Sequence, residues 1–265
     1  MAHRKKSLQF ALAQFNVKSG ETNSNLATAT KYITLAARRG ANLVVLPELW
    51  SSGYDLEQCR LHARTSQQEV LPALAKLARR YDMYIVGSVL QANSRGEVFN
   101  SAVVTDPGAG PTRTYQKIHL FGPMLENQFL APGSRMPVFR PTFGAFALAI
   151  CYDLRFPELF RKYVGNGAHL VIICAQWPAA RLDHWRTLIR ARAIENQIFV
   201  VACNRTGQSQ ETKFGGHSMI VDPGGQILVE GTEKSALLTA NINFASVTES
   251  RSRIPSLADR RPEIY

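Results

Sequence analysis

Two stretches of this chain, Leu43-Val44-Val45-Leu46 and Leu170-Val171-Ile172-Ile173, are apolar at every position. A strand with one wet face alternates apolar and polar side chains, because successive residues point to opposite faces. Unbroken apolar runs of this length belong to strands buried on both sides, the habit of sheets with parallel strands covered by helices. Strand signals also fall at Leu8–Phe15, Asn42–Leu46, Tyr84–Leu90, Val98–Val104, Thr112–Lys117 and Ala145–Ile150. They continue at Leu170–Cys174, Phe199–Cys203, His217–Val221, Gln226–Val229 and Ala236–Asn241. Between them, Asn25–Arg39, Gln67–Tyr81 and Arg181–Gln197 repeat apolar residues at three- and four-residue intervals, the period of a helix with one buried face. Gly40 is placed to end the first of these helices. The expectation is an α/β domain, a mixed sheet system covered by helices. No linker marks a boundary, so one domain is expected over 1–265.

A chain of 265 residues, 45% hydrophobic, is long enough to bury a sizeable core. No stretch of 18 apolar residues occurs, so no membrane helix is expected, and the basic start Arg4-Lys5-Lys6 leads into a short alternating strand rather than a secretory leader. The four cysteines, Cys59, Cys151, Cys174 and Cys203, show no C-x-x-C spacing. They fit free thiols in a reducing cytoplasm better than disulfides or a zinc site. The histidines show no metal-ligand spacing, and neither metal nor cofactor is expected. The formal charge of +11 raises the question of nucleic acid, but the cations are scattered and no recognition motif accompanies them. No nucleic-acid partner is expected; a positive field can instead draw in anionic substrates.

Three strand signals end in a reactive residue. Leu43–Pro47 runs into Glu48, Thr114-Tyr115-Gln116 into Lys117, and Phe146–Ile150 into Cys151. Ligands gather at the carboxyl ends of parallel strands, so the three side chains are expected to converge. The turn after Cys151 should expose its sulfur and set it near backbone N–H groups. A carboxylate base, a cation and a thiol suffice for acyl transfer. Taken singly, Glu48 also reads as a solvated or salt-bridged residue. A Cys–His pairing is a further way to activate a thiol, but no papain-type sequence surrounds Cys151, and His217 reads as a hydrogen-bonded structural residue.

These residues resemble a known family. Leu-Pro-Glu48-Leu, Tyr-Gln-Lys117-Ile-His-Leu-Phe and Cys151-Tyr-Asp-Leu-Arg-Phe-Pro-Glu are similar to the Glu–Lys–Cys motifs of the nitrilase, or carbon–nitrogen hydrolase, superfamily. Arg192–Gln197 with Asn204-Arg205, Gly216-His217-Ser218 before Asp222-Pro223, and the tail Asp259–Tyr265 extend the resemblance over almost the whole chain. It implies a four-layer α-β-β-α sandwich that assembles as a homodimer or larger homo-oligomer. It implies Cys151 as nucleophile, Glu48 as general base, Lys117 and the backbone N–H of Tyr152 as oxyanion donors, and Glu126 as a second glutamate of the site.

The residues after Cys151, Tyr-Asp-Leu-Arg-Phe-Pro, are similar to amidase-type members, whereas nitrile-cleaving branches tend to carry Trp-Glu there. With Gln176-Trp177-Pro178 and His184-Trp185-Arg186, the chain most resembles ω-amidases, which act on monoamides of dicarboxylates such as 2-oxoglutaramate. The resemblance implies a small-molecule amide and water as partners, and a thioester intermediate. Arg155 is a candidate for the substrate's distal carboxylate, or else a salt-bridge partner of Asp153 or Glu158. Trp177 and Phe121 are candidates for the pocket wall, or else packing residues. Deaminated glutathione and N-carbamoyl amides are alternative substrates. A pseudoenzyme scaffold is the non-enzymatic alternative.

Overall fold

The computed structural model describes residues 7–108 and 112–264, so Arg4-Lys5-Lys6 and Tyr265 lie outside the described residues. Its first strand, β1 (Leu8–Gln14), shows how the layers are made. Leu8, Phe10 and Leu12 enter one apolar cluster, while Ala11 and Ala13 enter another. The two-residue period of a strand sorts its side chains onto opposite faces in this way.

The elements alternate along the chain. After β1 come α1 (Thr22–Arg38), β2 (Leu43–Val45), α2 (Cys59–Thr65) and α3 (Leu71–Tyr81). Then follow β3 (Tyr84–Ala92), β4 (Val98–Thr105), β5 (Arg113–Gln116) and a single helical turn, α4 (Glu126–Phe129). The next group is β6 (Val138–Phe139), β7 (Phe146–Ile150), α5 (Pro157–Gly165), β8 (Leu170–Ala175) and α6 (Leu182–Asn196). The chain continues through β9 (Phe199–Asn204), β10 (Gln208–Ser209), β11 (Thr212–Lys213) and β12 (Met219–Val221). It closes with β13 (Ile227–Glu230), β14 (Ala236–Ile242) and α7 (Ala245–Arg253).

Two six-stranded sheets result, ordered β14-β1-β2-β3-β4-β5 and β13-β12-β9-β8-β7-β6. In the first, β1, β2 and β3 run parallel, and in the second, β7, β8 and β9 do. The larger apolar cluster takes Phe10, Leu12, Leu43 and Val45 from the first sheet and the strands of the second. α1 and α3 cover the other side of the first sheet with Ala29, Ile33, Ala36, Leu74 and Ala78. α5 and α6 cover the second with Phe160, Tyr163, Trp185 and Ile189. The four layers are α-β-β-α, and the two fully apolar runs are strands with a neighbouring layer on each side.

The expected helix over Gln67–Tyr81 is part of a longer helical stretch, in which a π-helical turn at Ser66–Val70 joins α2 to α3. Gly40, at φ +78°, follows the end of α1 as expected. The strand expected from His217 begins only at Met219, because His217 takes φ +50°. Among the described residues, no helix is long and apolar enough to cross a membrane.

Candidate active site

Glu48 follows β2, Lys117 follows β5 and Cys151 follows β7. β5 is antiparallel to β4, which is antiparallel to β3, so β5 points the same way as β2 and β3. The topology therefore carries Glu48 and Lys117 to the same end of the first sheet. Lys117 Nζ lies 2.8 Å from Glu48 Oε1 and 2.8 Å from Glu126 Oε1, and all three side chains are fully buried. Of the two alternatives for Glu48 taken singly, it is not solvated but is salt-bridged, in the interior.

Neutral donors complete this cluster. Tyr54 OH lies 3.0 Å from Oε1 of both glutamates, which share its one proton, and Asn100 Nδ2 donates to Glu48 at 2.9 Å. The second oxygen of Glu48 accepts the Gln176 N–H at 2.9 Å, and that of Glu126 accepts the Phe121 N–H at 2.7 Å. Gln176 Nε2 donates back to the Glu48 carbonyl at 2.7 Å, fixing the turn that carries the carboxylate.

Cys151 opens a 3₁₀ turn, Cys151–Arg155, with φ +47°. A left-handed conformation costs a non-glycine residue about 1–2 kcal/mol, so neighbouring bonds must hold it. Asp153 does much of that holding, through four hydrogen bonds. It accepts from Ile150 N–H (2.9 Å), Tyr115 OH (2.7 Å), His119 N–H (3.1 Å) and the His119 ring at Nδ1 (2.8 Å). One carboxylate thus ties the Cys151 turn to the segment just after Lys117. The sulfur is not exposed as expected: Cys151 is 6% accessible and lines a narrow cleft.

Burial pushes the Cys151 thiol well above its ordinary range, and the negative charge of Glu48 adds to this while Lys117 opposes it. Burial pushes the Lys117 ammonium down, but Glu126 and Glu48 outweigh it and hold the group charged. Burial raises the Glu126 carboxyl, with Lys117 opposing and Glu48 reinforcing. The resting site is therefore a neutral thiol beside a Lys117 ammonium held between the Glu48 and Glu126 carboxyl groups.

Comparison with known proteins identifies the family. The carbon–nitrogen hydrolase family profile matches residues 9–252. This chain belongs to the carbon–nitrogen hydrolase family. It is 37% identical over 252 residues to a 2-oxoglutaramate amidase of Bacillus subtilis, covering 95% of this chain and 97% of that protein. It is 43% identical over 235 residues to a 2-oxoglutaramate amidase of Paenarthrobacter nicotinovorans, covering 85% and 80%. A crystal structure of a CN-hydrolase superfamily protein from Xanthomonas campestris, with an arsenic adduct in its active site, superposes with a TM-score of 0.90. The identity there is 30%, over 96% of this chain and 97% of that one.

In this carbon–nitrogen hydrolase, Phe121, Tyr152, Arg155 and Trp177 all line the Cys151 cleft. The Phe121 and Tyr152 rings lie 5.0 Å apart. Arg155 makes neither of the ion pairs considered for it; its guanidinium stacks 4.9 Å from the Trp177 ring centroid and lies 3.3 Å from His184 Nδ1. His217 is a hydrogen-bonded structural residue, with Nδ1 2.8 Å from Glu230. The sequence reading left Tyr54, Asn100, Gln176, Arg181 and Arg205 without roles. Asn100 carried a signal, a carboxamide within the buried strand β4. Tyr54 and Arg181 carried none, because their positions come from loop paths.

Proposed function

We propose that this carbon–nitrogen hydrolase removes ammonia from the side-chain amide of a small dicarboxylate monoamide of the 2-oxoglutaramate type, through a thioester on Cys151. The observation that carries the reading is one cleft that holds the Cys151 thiol, the buried Glu48–Lys117–Glu126 cluster beside it, and two guanidiniums, Arg155 and Arg181, on its wall. The relatives described as 2-oxoglutaramate amidases support the same substrate class.

In this reading, Cys151 Sγ attacks the amide carbon as Glu48 accepts the thiol proton. Lys117 Nζ and the Tyr152 N–H stabilise the oxyanion; Tyr152 stands at the start of its turn, where N–H groups lack partners within the turn. Glu48 returns the proton to the departing nitrogen, and ammonia leaves behind an acyl thioester. Glu48 then takes a proton from water, whose oxygen attacks the thioester carbon and releases the carboxylic acid and the thiol. Glu126 holds the Lys117 ammonium between two carboxylates. Arg155 pairs with the distal carboxylate, while Trp177 and Phe121 flank the acyl chain. We further propose one cooperative domain over 1–265, a homodimer or larger homo-oligomer, and a cytoplasmic setting for its four free thiols.

An ammonia-release screen over ω-amides, N-carbamoyl amino acids, aliphatic amides and nitriles tests this. The ω-monoamides of dicarboxylates should be preferred, and R155A should raise KM for them at least tenfold. Preference for a neutral aliphatic amide would sink the substrate assignment and the role of Arg155 together.

A further inference from the structure

Arg205 follows β9 and is fully buried, yet among the described residues it forms no ion pair with a carboxylate. Its guanidinium donates to Gln176 Oε1 at 2.8 Å, to Asn16 Oδ1 at 2.7 Å, and to the carbonyls of Val17 and Thr206. It also stacks 4.2 Å from the Phe214 ring centroid. Every one of these partners is neutral. A buried cation needs compensating charge as well as hydrogen bonds. The Glu48–Lys117–Glu126 cluster lies one residue away, across Gln176. Two carboxyl groups, Glu48 and Glu126, face the single ammonium of Lys117, and Gln176 bridges Arg205 to Glu48 by its side chain and its N–H.

We propose that Arg205 is a positioning residue, the counter-charge that keeps the Glu48–Lys117–Glu126 cluster ionised and, through Gln176, holds Glu48 in place. The proposal rests on the catalytic role assigned above to that cluster. Burial lowers the Arg205 guanidinium to about 10, which leaves it protonated at neutral pH. The other groups that bear on the cluster are Tyr54, Cys151 and Cys174, with Arg155 and Arg181 on the cleft wall. None of the first three carries positive charge, and the two arginines are on the side open to substrate.

Removing a positive charge strengthens proton binding by the two carboxylates, so the acid limb of reactivity must move to higher pH. The test follows Cys151 alkylation by neutral iodoacetamide across pH, by mass spectrometry, alongside kcat and KM for an ω-amide. R205M should raise the acid limb of both profiles by about one pH unit. R205K keeps the charge, so its limb should stay at the wild-type position while kcat falls severalfold. Adding E126Q to R205M removes one of the two carboxyl groups and should bring the limb back down. If R205M does not fold, E126Q/R205M should fold where the single variant does not. A folded R205M with the wild-type limb would overturn the proposal, as would failure of both variants to fold. A wild type that hydrolyses no ω-amide would instead defeat the substrate reading, and the alkylation limb would still decide the role of Arg205.

Discussion

A thiol that holds its proton tightly is a poor nucleophile, and Cys151 is such a thiol: burial and Glu48 both favour its neutral form. The raised pKa has a definite sign. The free thiolate is scarce at neutral pH and rises tenfold per pH unit until the raised value is reached. Reactivity near pH 7 must therefore come from proton transfer to a neighbour, and Glu48 is the proposed base. Wild-type alkylation by iodoacetamide should show a plateau through neutral pH and a further rise above about pH 9. In E48Q the plateau should fall by roughly 10²-fold or more, leaving only the alkaline rise. An E48Q profile that keeps the plateau would remove Glu48 as the base. C151A should retain its fold by circular dichroism and release no ammonia. At this scale, Glu48, Lys117 and Cys151 were legible because each ends a strand signal, and a reactive residue there has a reason to be at the strand's carboxyl end. Tyr54 and Arg205 were not, since their roles depend on which loops meet, and no local pattern encodes that.

Elements rather than residues decide how exactingly the cluster is held. The end of β5 is pinned by two bonds, Lys117 N–H to the Asn100 carbonyl at 2.9 Å and Gly133 N–H to the Lys117 carbonyl at 2.8 Å. Gly133 is there because a Cβ at that position would overlap the Gln116 backbone. G133A should therefore displace the strand end, lower Tm by several degrees and cut kcat at least tenfold, because Lys117 moves with it. Gly165, at the end of α5, is the control, since nothing lies within 4 Å of an added Cβ. G165A should leave kcat unchanged and stabilise by up to about 1 kcal/mol. A normal kcat in G133A would show that the cluster tolerates movement of β5. The long elements were readable from their periods of two and 3.6. α7 escaped because Val247 is its one buried residue, too little to make a stripe. α2 escaped because its buried face includes His62, a residue that reads as polar. The strands β6, β10 and β11 have two residues each, below the length at which alternation can be seen.

For the whole molecule, the formal charge of +11 calls for a physical account. Part of the positive charge is local to function: Arg155 and Arg181 stand on the cleft wall, and Lys117 and Arg205 are buried behind it. The remainder gives the surface a field that concentrates anions and is screened over about 8–10 Å at ordinary ionic strength. A dicarboxylate monoamide is an anion at neutral pH, so its capture should feel this field, whereas a neutral reagent should not. Between roughly 20 and 300 mM salt, kcat/KM for the anionic ω-amide should therefore fall severalfold, mainly through KM. Over the same range, iodoacetamide alkylation of Cys151 should stay within experimental error, because the reagent carries no charge. In R155A the salt dependence should weaken but persist, since the scattered surface cations remain. Equal salt dependence for the charged and neutral reagents would show that salt acts on the fold of the site. A flat profile for both would leave the +11 charge without a part in substrate capture.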